Sequence, residues 1–307
     1  MRVALTGATG LVGRRLVAAL RERGDDVTVL SRSPDRARVA LDVEAAAWDP
    51  AAGPAPAEAL AGRDAVVNLA GEPVAQRWND EVKRRIHDSR VAGTRNLVAG
   101  LRAADPRPRV LVSASGVGYY GPHGDERVTE SGPPADDFLA RLSVDWEGAA
   151  QTASELGVRV ACIRTGVVLD PRGGALRQML PPFRLGLGGP VAGGRQYMPW
   201  IHADDHVGVY LAALDGEDWS GAFNATAPEP VTNREFSKAL GRALRRPAVA
   251  PVPRFALRLM FGEMGDIVAT GVRAVPERAL ALGHAFAHPD LDQALKDLLA
   301  TRERSSR

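Results

Sequence analysis

The sequence predicts an α/β protein: a doubly wound parallel sheet with a smaller, partly discontinuous lobe beside it. Three observations carry this. Short apolar runs alternate with stretches of helical spacing through the first 166 residues. A glycine-spaced turn, TGATGLVG (6–13), joins the first apolar run to the first helical one. After residue 166 glycine and proline cluster, at 171–199 and again at 228–253, and the alternation loosens. Apolar strands interleaved with helices are buried on both faces, which is the pattern of a parallel sheet.

The elements follow in order. RVALTG (2–7) is a short apolar run ending at glycine, read as the first strand. LVGRRLVAALRERG (11–24) places Val12, Leu16 and Leu20 on one helical side, and Gly24 suits the end of that helix. DVTVLSR (26–32) reads as a second strand, and DAVVNLAG (64–71) and PRVLVSAS (108–115) as two more. PAAGPAPAEALAG (50–62) is expected to be a surface loop running into a short helix. Residues 79–105 read as a long helix with Val82, Ile86, Leu97 and Leu101 on one side. Gly93 falls in its middle, where glycine costs about 1 kcal/mol against alanine, so close packing on another element is expected there. Residues 136–156 make a further helix, and GVRVACIRTG (157–166) a further strand. Residues 202–225 are expected to return to the main sheet. The organisation is then a nucleotide-binding domain of 1–166 plus about 202–225, with 167–201 and 226–300 forming the second lobe and C-terminal region. The final RERSSR is expected to fray.

Composition narrows the function classes. Hydrophobic residues are 45% and charged residues 25% of the chain, and the net charge is +2, as in an ordinary globular protein. The excess charge is spread along the chain, so neither nucleic acid nor a membrane is an expected partner. No apolar stretch nears the roughly 20 residues needed to span a bilayer. The single cysteine, Cys162, sits in an apolar run and reads as a buried side chain. A cytoplasmic protein with a small-molecule substrate is the default.

The chemistry starts at the glycine turn. Gly7, Gly10 and Gly13 stand three residues apart between a strand and a helix. Missing side chains let backbone N–H groups approach a diphosphate, and the helix N-terminus adds partial positive charge. With Thr6, Thr9 and Leu11 they form the expected dinucleotide site. The second strand ends at Ser31 and Arg32, where an NAD-preferring site usually carries a carboxylate. A hydroxyl and a guanidinium suit a 2′-phosphate, so NADP(H) is expected over NAD(H). Arg32 is otherwise a solvated loop charge. Asp49 either reaches the adenine or is a turn residue before Pro50. His202 reads as a hydrogen-bonded structural histidine, and the six histidines show no metal-ligand spacing, so no metal is expected.

TGATGLVG, NLAG (68–71) and VSASGVGYYG (112–121) resemble the extended short-chain dehydrogenase/reductase superfamily. NLAGEPVAQRWNDEVKRRIHDSRVAGT (68–94), FLARLSVDWEGAA (138–150), RTGVVLD (164–170), GGRQYMPWIHADD (193–205) and VPERALALGHAFAHPDL (275–291) narrow this to the atypical epimerase family, similar to NAD-dependent epimerase/dehydratases. The resemblance implies a Rossmann-type fold. It implies cofactor contacts at Leu69, Ala70, Gly71, Arg90 and Thr165, with Ser115 where the superfamily places its catalytic Ser or Thr. Asp204 and Asp205 match a motif that shapes the substrate wall, or else cap the next helix. By the same analogy helices 79–105 and 136–156 are where a homodimer would form.

One part of the superfamily pattern is missing. Standard members carry Tyr-x-x-x-Lys one helical turn apart, so that the lysine charge lowers the phenol pKa. Here the four tyrosines, at 119, 120, 197 and 210, are followed four residues on by His123, Gly124, Ile201 and Leu214. Alignment on Glu147 puts Leu139 and Ser143 in the pair's places. Ser115, Tyr119, Tyr120 and Glu72 are the replacement candidates, and Arg164 and Arg195 are candidate anion contacts. Each also has a plain structural reading, Tyr120 as packing and Glu72 as an ion-pair partner of an arginine such as Arg77. Two functions stay open: an NADP(H)-dependent oxidoreductase or epimerase acting on a hydroxyl, carbonyl or nucleotide-sugar substrate, or a cofactor-binding regulator or scaffold that has lost catalysis.

Overall fold

The computed structural model describes residues 1–304, with side chains for all of these except residues 260, 261, 268 and 301–304. The chain runs β1 (Arg2–Thr6), α1 (Leu11–Glu22), β2 (Asp26–Ser31), α2 (Pro34–Leu41), β3 (Glu44–Ala47), α3 (Ala57–Leu60), β4 (Ala65–Asn68), α4 (Asp80–Ala103) and β5 (Val110–Gly116). A 3-10 turn at Val117–Tyr120 and the short β6 (Arg127–Val128) lead to α5 (Phe138–Gln151) and β7 (Arg159–Thr165). Seven parallel strands form the central sheet, in the order β11-β7-β5-β4-β1-β2-β3, where β11 is Gly221–Ala225. The sheet is the expected Rossmann-type one. Two of its elements, α2 and β3, were not legible: EAAA is too short and too weakly patterned to read as a strand.

Strand residues alternate between two cores, as the period of two requires. Val3 and Leu5 pack with Leu16 and Leu20 of α1 and with Tyr210 and Leu214. Ala4 and Val66 face the other way, onto Leu97 and Leu101 of α4. Asn79 caps α4 by accepting from the Val82 N–H at 2.8 Å, and Asp137 caps α5 in the same way. Gly93 and Gly100 are the close-approach points of α4. A β-carbon at Gly93 would come 3.1 Å from Cβ of Pro50, and one at Gly100 would come 2.5 Å from the Ala55 carbonyl oxygen.

Beyond β7 come β8 (Val167–Leu169), α6 (Gly174–Arg184), β9 (Tyr197–Met198), β10 (Trp200–His202) and α7 (Ala203–Asp215), with β11 after it. Then follow β12 (Val231–Thr232), α8 (Asn233–Leu244), α9 (Arg254–Phe261), α10 (Met264–Val268), β13 (Arg273–Ala274), α11 (Glu277–Ala281) and α12 (Leu291–Arg304). Leu176, Leu180 and Phe183 of α6 share one core with Phe236 and Leu240 of α8 and Leu295 of α12. This core draws on both segments of the second lobe. The tail does not stay in that lobe, however. β13 pairs with β6 in parallel, Ala279 joins the main core, and Asn224 of β11 donates to the Val275 carbonyl at 2.9 Å. α12 is helical through Arg304, and residues 305–307 of the terminus expected to fray lie outside the described residues. Among the described residues no helix is long and apolar enough to cross a membrane. Cys162 is buried on β7, where burial pushes its thiol up.

Candidate functional site

The carboxyl ends of β1, β2 and β4 open onto a cleft of about 740 Å³. Its floor is the glycine turn. Gly7 has φ +68°, a left-handed conformation that suits glycine, and a β-carbon there would lie 2.6 Å from the Leu69 carbonyl carbon. At Gly13 a β-carbon would lie 2.4 Å from the Gly7 carbonyl oxygen. So α1 starts hard against the turn, and the space over it is left to a ligand. Thr6 fixes the neighbouring strand: its hydroxyl donates to Asn68 Oδ1 at 2.8 Å and accepts from the Leu69 and Ala70 N–H groups. Asn68 in turn donates to Thr94 at 2.9 Å, and Thr94 also accepts from Trp146 Nε1 at 3.0 Å. This buried network holds the Leu69–Gly71 wall of the cleft. The sequence reading missed Asn68; the signal was a polar residue closing an apolar strand.

Thr9, Gly10, Ser31, Arg32, Ala70 and Gly71 line the cleft as expected. Ser31 Oγ accepts from the Ser33 N–H at 3.1 Å. Arg14 and Arg36 line it too and were not foreseen. The Arg32 and Arg36 side chains make no hydrogen bond or ion pair among the described residues. Arg32 follows β2 directly and Arg36 lies in α2, and no carboxylate lines the cleft beside them. Trp48 and Pro50 line the cleft, whereas the exposed Asp49 is the turn residue, its carboxylate accepting from the Ala51 N–H at 3.0 Å. The Leu11 side chain turns away to pack against Gly173. Arg90 lies against Gly71, its guanidinium 5.0 Å from the Trp146 ring centre, and donates to the Glu72 carbonyl at 2.8 Å. Burial lowers its pKa to about 10.

Ser115 sits at the end of β5, in register with Arg164 of β7. Its hydroxyl donates to Glu147 Oε1 at 2.6 Å. Arg164 grips the same carboxylate with both arms, Nε to Oε1 and Nη2 to Oε2, each at 2.8 Å. Glu147 lies one turn beyond Ser143 on α5, so a buried Glu–Arg pair stands beside the place of the missing Tyr and Lys. Ser143 Oγ donates back to the Leu139 carbonyl at 2.8 Å, and the Leu139 side chain packs where a β-carbon at Gly118 would fall. Sequence reasoning used Glu147 only as an alignment anchor. Its partner is 17 residues away on another element, which no local pattern reveals.

Two expectations are corrected by this geometry. Tyr120 is fully buried, its hydroxyl donating to Asn224 Oδ1 at 2.7 Å and accepting from Arg164 at 2.9 Å. Burial pushes its pKa up to about 12, so it is a packing residue and not a proton donor to substrate. Arg164 is committed to Glu147, Tyr120 and the Glu130 carbonyl, so it is not an anion contact. Burial alone would lower its pKa; Glu147 and Tyr120 outweigh that and raise it. Glu72 meets Gln76 at 3.2 Å and pairs with an arginine, Arg85, at 3.9 Å. Tyr119 is half-buried, stacked with its ring centre 3.4 Å from the Arg164 guanidinium carbon, and its hydroxyl makes no hydrogen bond among the described residues. Thr165 meets His206 Nε2 at 3.0 Å, and Arg195 is exposed.

His202, Asp204, His288 and Asp297 bring ligand-type atoms within 4.8 Å of one another. His202 Nδ1 accepts the Asp204 N–H at 3.1 Å, which leaves the ring proton on Nε2, 3.4 Å from Asp297. A protonated Nε2 offers no lone pair to a metal. His202 is thus the cap of α7, while Asp205 accepts from the Ala287 and His288 N–H groups and ties down the tail.

Residues 3–225 match the family model described as the NAD dependent epimerase/dehydratase family. The chain belongs to this family. Residues 252–298 match a domain of unknown function. The chain is 40% identical over 310 residues to the chloroplastic epimerase family protein SDR39U1 homolog of Arabidopsis thaliana, covering 97% of this chain and 87% of that one. It is also similar to the structure of human epimerase family protein SDR39U1 with NADPH: TM-score 0.87 and 36% identity, covering 97% of this chain and 99% of that one. UDP-glucuronic acid 4-epimerase from Bacillus cereus, in complex with UDP-glucuronic acid and NAD, shares the fold at TM-score 0.79 and 15% identity, over 98% and 100% of the two chains.

Proposed function

We propose that the chain binds NADP(H) in the cleft over the glycine turn and acts as an oxidoreductase or epimerase on a small hydroxyl- or carbonyl-bearing substrate. One observation carries the cofactor choice: Arg32 and Arg36 stand unpaired at the end of β2, where a 2′-phosphate would meet them. The 36% identical human protein with NADPH supports the same reading. The bound nicotinamide supplies hydride transfer at its C4. Glu147 holds the Ser115 proton, so Ser115 is left to accept, and its part in the reading is to receive a hydrogen bond from a substrate hydroxyl. Tyr119, with its free hydroxyl, is the neighbouring proton donor. The reading includes a cytoplasmic setting, since one buried cysteine calls for no oxidising compartment.

Arg32→Ala is expected to weaken NADPH binding by about tenfold or more, a charge-assisted contact, while leaving NADH within about twofold. Calorimetric titration of both nucleotides checks this, and equal losses would remove the 2′-phosphate argument. For turnover, the NADPH-loaded protein is offered a panel of carbonyl compounds and sugar nucleotides, and its NADP⁺-loaded form the matching alcohols. Turnover lost in Ser115→Ala supports catalysis at this site. Tight nucleotide binding without turnover across the panel favours the regulator or scaffold, a reading that the missing Tyr/Lys pair also motivates.

A further inference from the structure

We propose that the surface formed by residues 184–191, 245–252 and α9 docks on an anionic lipid bilayer. Five of the ten exposed large hydrophobic side chains among the described residues lie on these segments: Leu185, Leu187, Val249, Phe255 and Leu259, each between 64% and 77% exposed. The two loop segments lie side by side. The Ala250 N–H donates to the Gly188 carbonyl at 3.2 Å, the Val252 N–H to Pro190 at 2.9 Å, and Val191 and Val252 form a parallel bridge.

The same face is cationic. Residues 181–192 and 241–262 contain six arginines and no aspartate or glutamate. Arg242 pairs with Asp292. Arg184, Arg245 and Arg246 are exposed and make no ion pair among the described residues. Arg254 and Arg258 share the single carboxylate of Asp266, each at 3.0 Å, so that triad adds one further positive charge.

The layout favours a lipid surface over an acidic protein. On α9, Phe255 and Leu259 stand one turn apart, and Arg254 and Arg258 stand one turn apart beside them. An apolar row next to a cationic row lets hydrocarbon take the first and headgroup phosphates the second. Leu185, Leu187 and Val249 add exposed apolar side chains on the two paired loop segments, one of which leads into α9. Self-association through this face would set arginine against arginine. The linear sequence points away from a membrane partner because these charges lie some 70 residues apart and only the fold brings them together. The proposal is independent of the cofactor reading.

The test is co-sedimentation of the full chain with vesicles of phosphatidylcholine alone and of phosphatidylcholine with about one-third phosphatidylglycerol. Partitioning onto the anionic vesicles is expected to be stronger by about tenfold or more and to fall as salt rises. Arg245→Glu/Arg246→Glu and Phe255→Ser/Leu259→Ser are each expected to lower it by about tenfold, with wild-type circular dichroism and thermal unfolding. Should the α9 variant fail to fold, Leu185→Ser/Leu187→Ser probes the same face from the loop. Equal partitioning onto both vesicle types, no partitioning, or folded variants that bind as wild type would overturn the proposal. So would binding to soluble polyglutamate with none to vesicles, which assigns the face to an acidic protein.

Discussion

Gly13→Ala is expected to cost about 3 kcal/mol or more and to abolish measurable NADPH binding, because the new methyl has nowhere to go. It would sit 2.4 Å from the Gly7 carbonyl oxygen and 2.6 Å from Cα of Ala8, both backbone atoms of the turn. Either α1 moves off β1, losing the packing of Leu16 and Leu20, or the turn opens and the cradle is lost. Gly24→Ala is the control. Gly24 has φ +85° but nothing within 4 Å of an added β-carbon, so the left-handed backbone is its only penalty, about 1 kcal/mol. Urea unfolding and calorimetry of the two variants separate close approach from backbone strain. Similar losses in both would show that the turn tolerates a side chain and that the cradle is not the constraint.

Arg164→Met is expected to destabilise the fold by about 3–5 kcal/mol, since it leaves the buried Glu147 carboxylate without its counter-ion. Both partners are desolvated, with side-chain exposures of 5% for Arg164 and 15% for Glu147. Removing both, in Arg164→Met/Glu147→Leu, is expected to recover at least half of that loss, because an apolar pair of similar volume needs no desolvation. Tyr120 is expected to keep its bond to Asn224 in either variant, since neither substitution touches that pair. Denaturant unfolding of the four proteins of the cycle reads the coupling. A single variant within about 1 kcal/mol of wild type would mean that the pair is not the tie described here. The double variant also frees the Ser115 proton, so it is expected to change binding of substrate hydroxyls even where the fold is restored.

The glycine-turn side of the cleft was legible because it is local. Gly7, Gly10, Gly13, Ser31 and Arg32 lie on consecutive elements, and a turn between strand and helix forces its backbone N–H groups into the cleft. Arg36 escaped notice because α2 itself was not read. Asn68 escaped because its partners, Thr6 on β1 and Thr94 on α4, come from two other elements that meet β4 only when the chain packs. The catalytic half was less legible for the same reason. Ser115 could be singled out from its place at a strand end, but the fates of Tyr119 and Tyr120, adjacent in sequence, differ by burial alone: one is half-exposed, the other sealed.

By itself the sequence determined the alternation of strand and helix, the glycine turn, the absence of any Tyr-x-x-x-Lys, and hence a dinucleotide fold without the usual proton-transfer pair. Those are matters of periodicity and local backbone demand, which a chain states residue by residue. Only the tertiary structure decided that Arg164 faces Ser115 across neighbouring strands, that Glu147 lies between them, and that two separate loop segments bearing exposed arginines run side by side. Charge pairing and burial depend on distances through space, and those are set when the sheet and its helices pack.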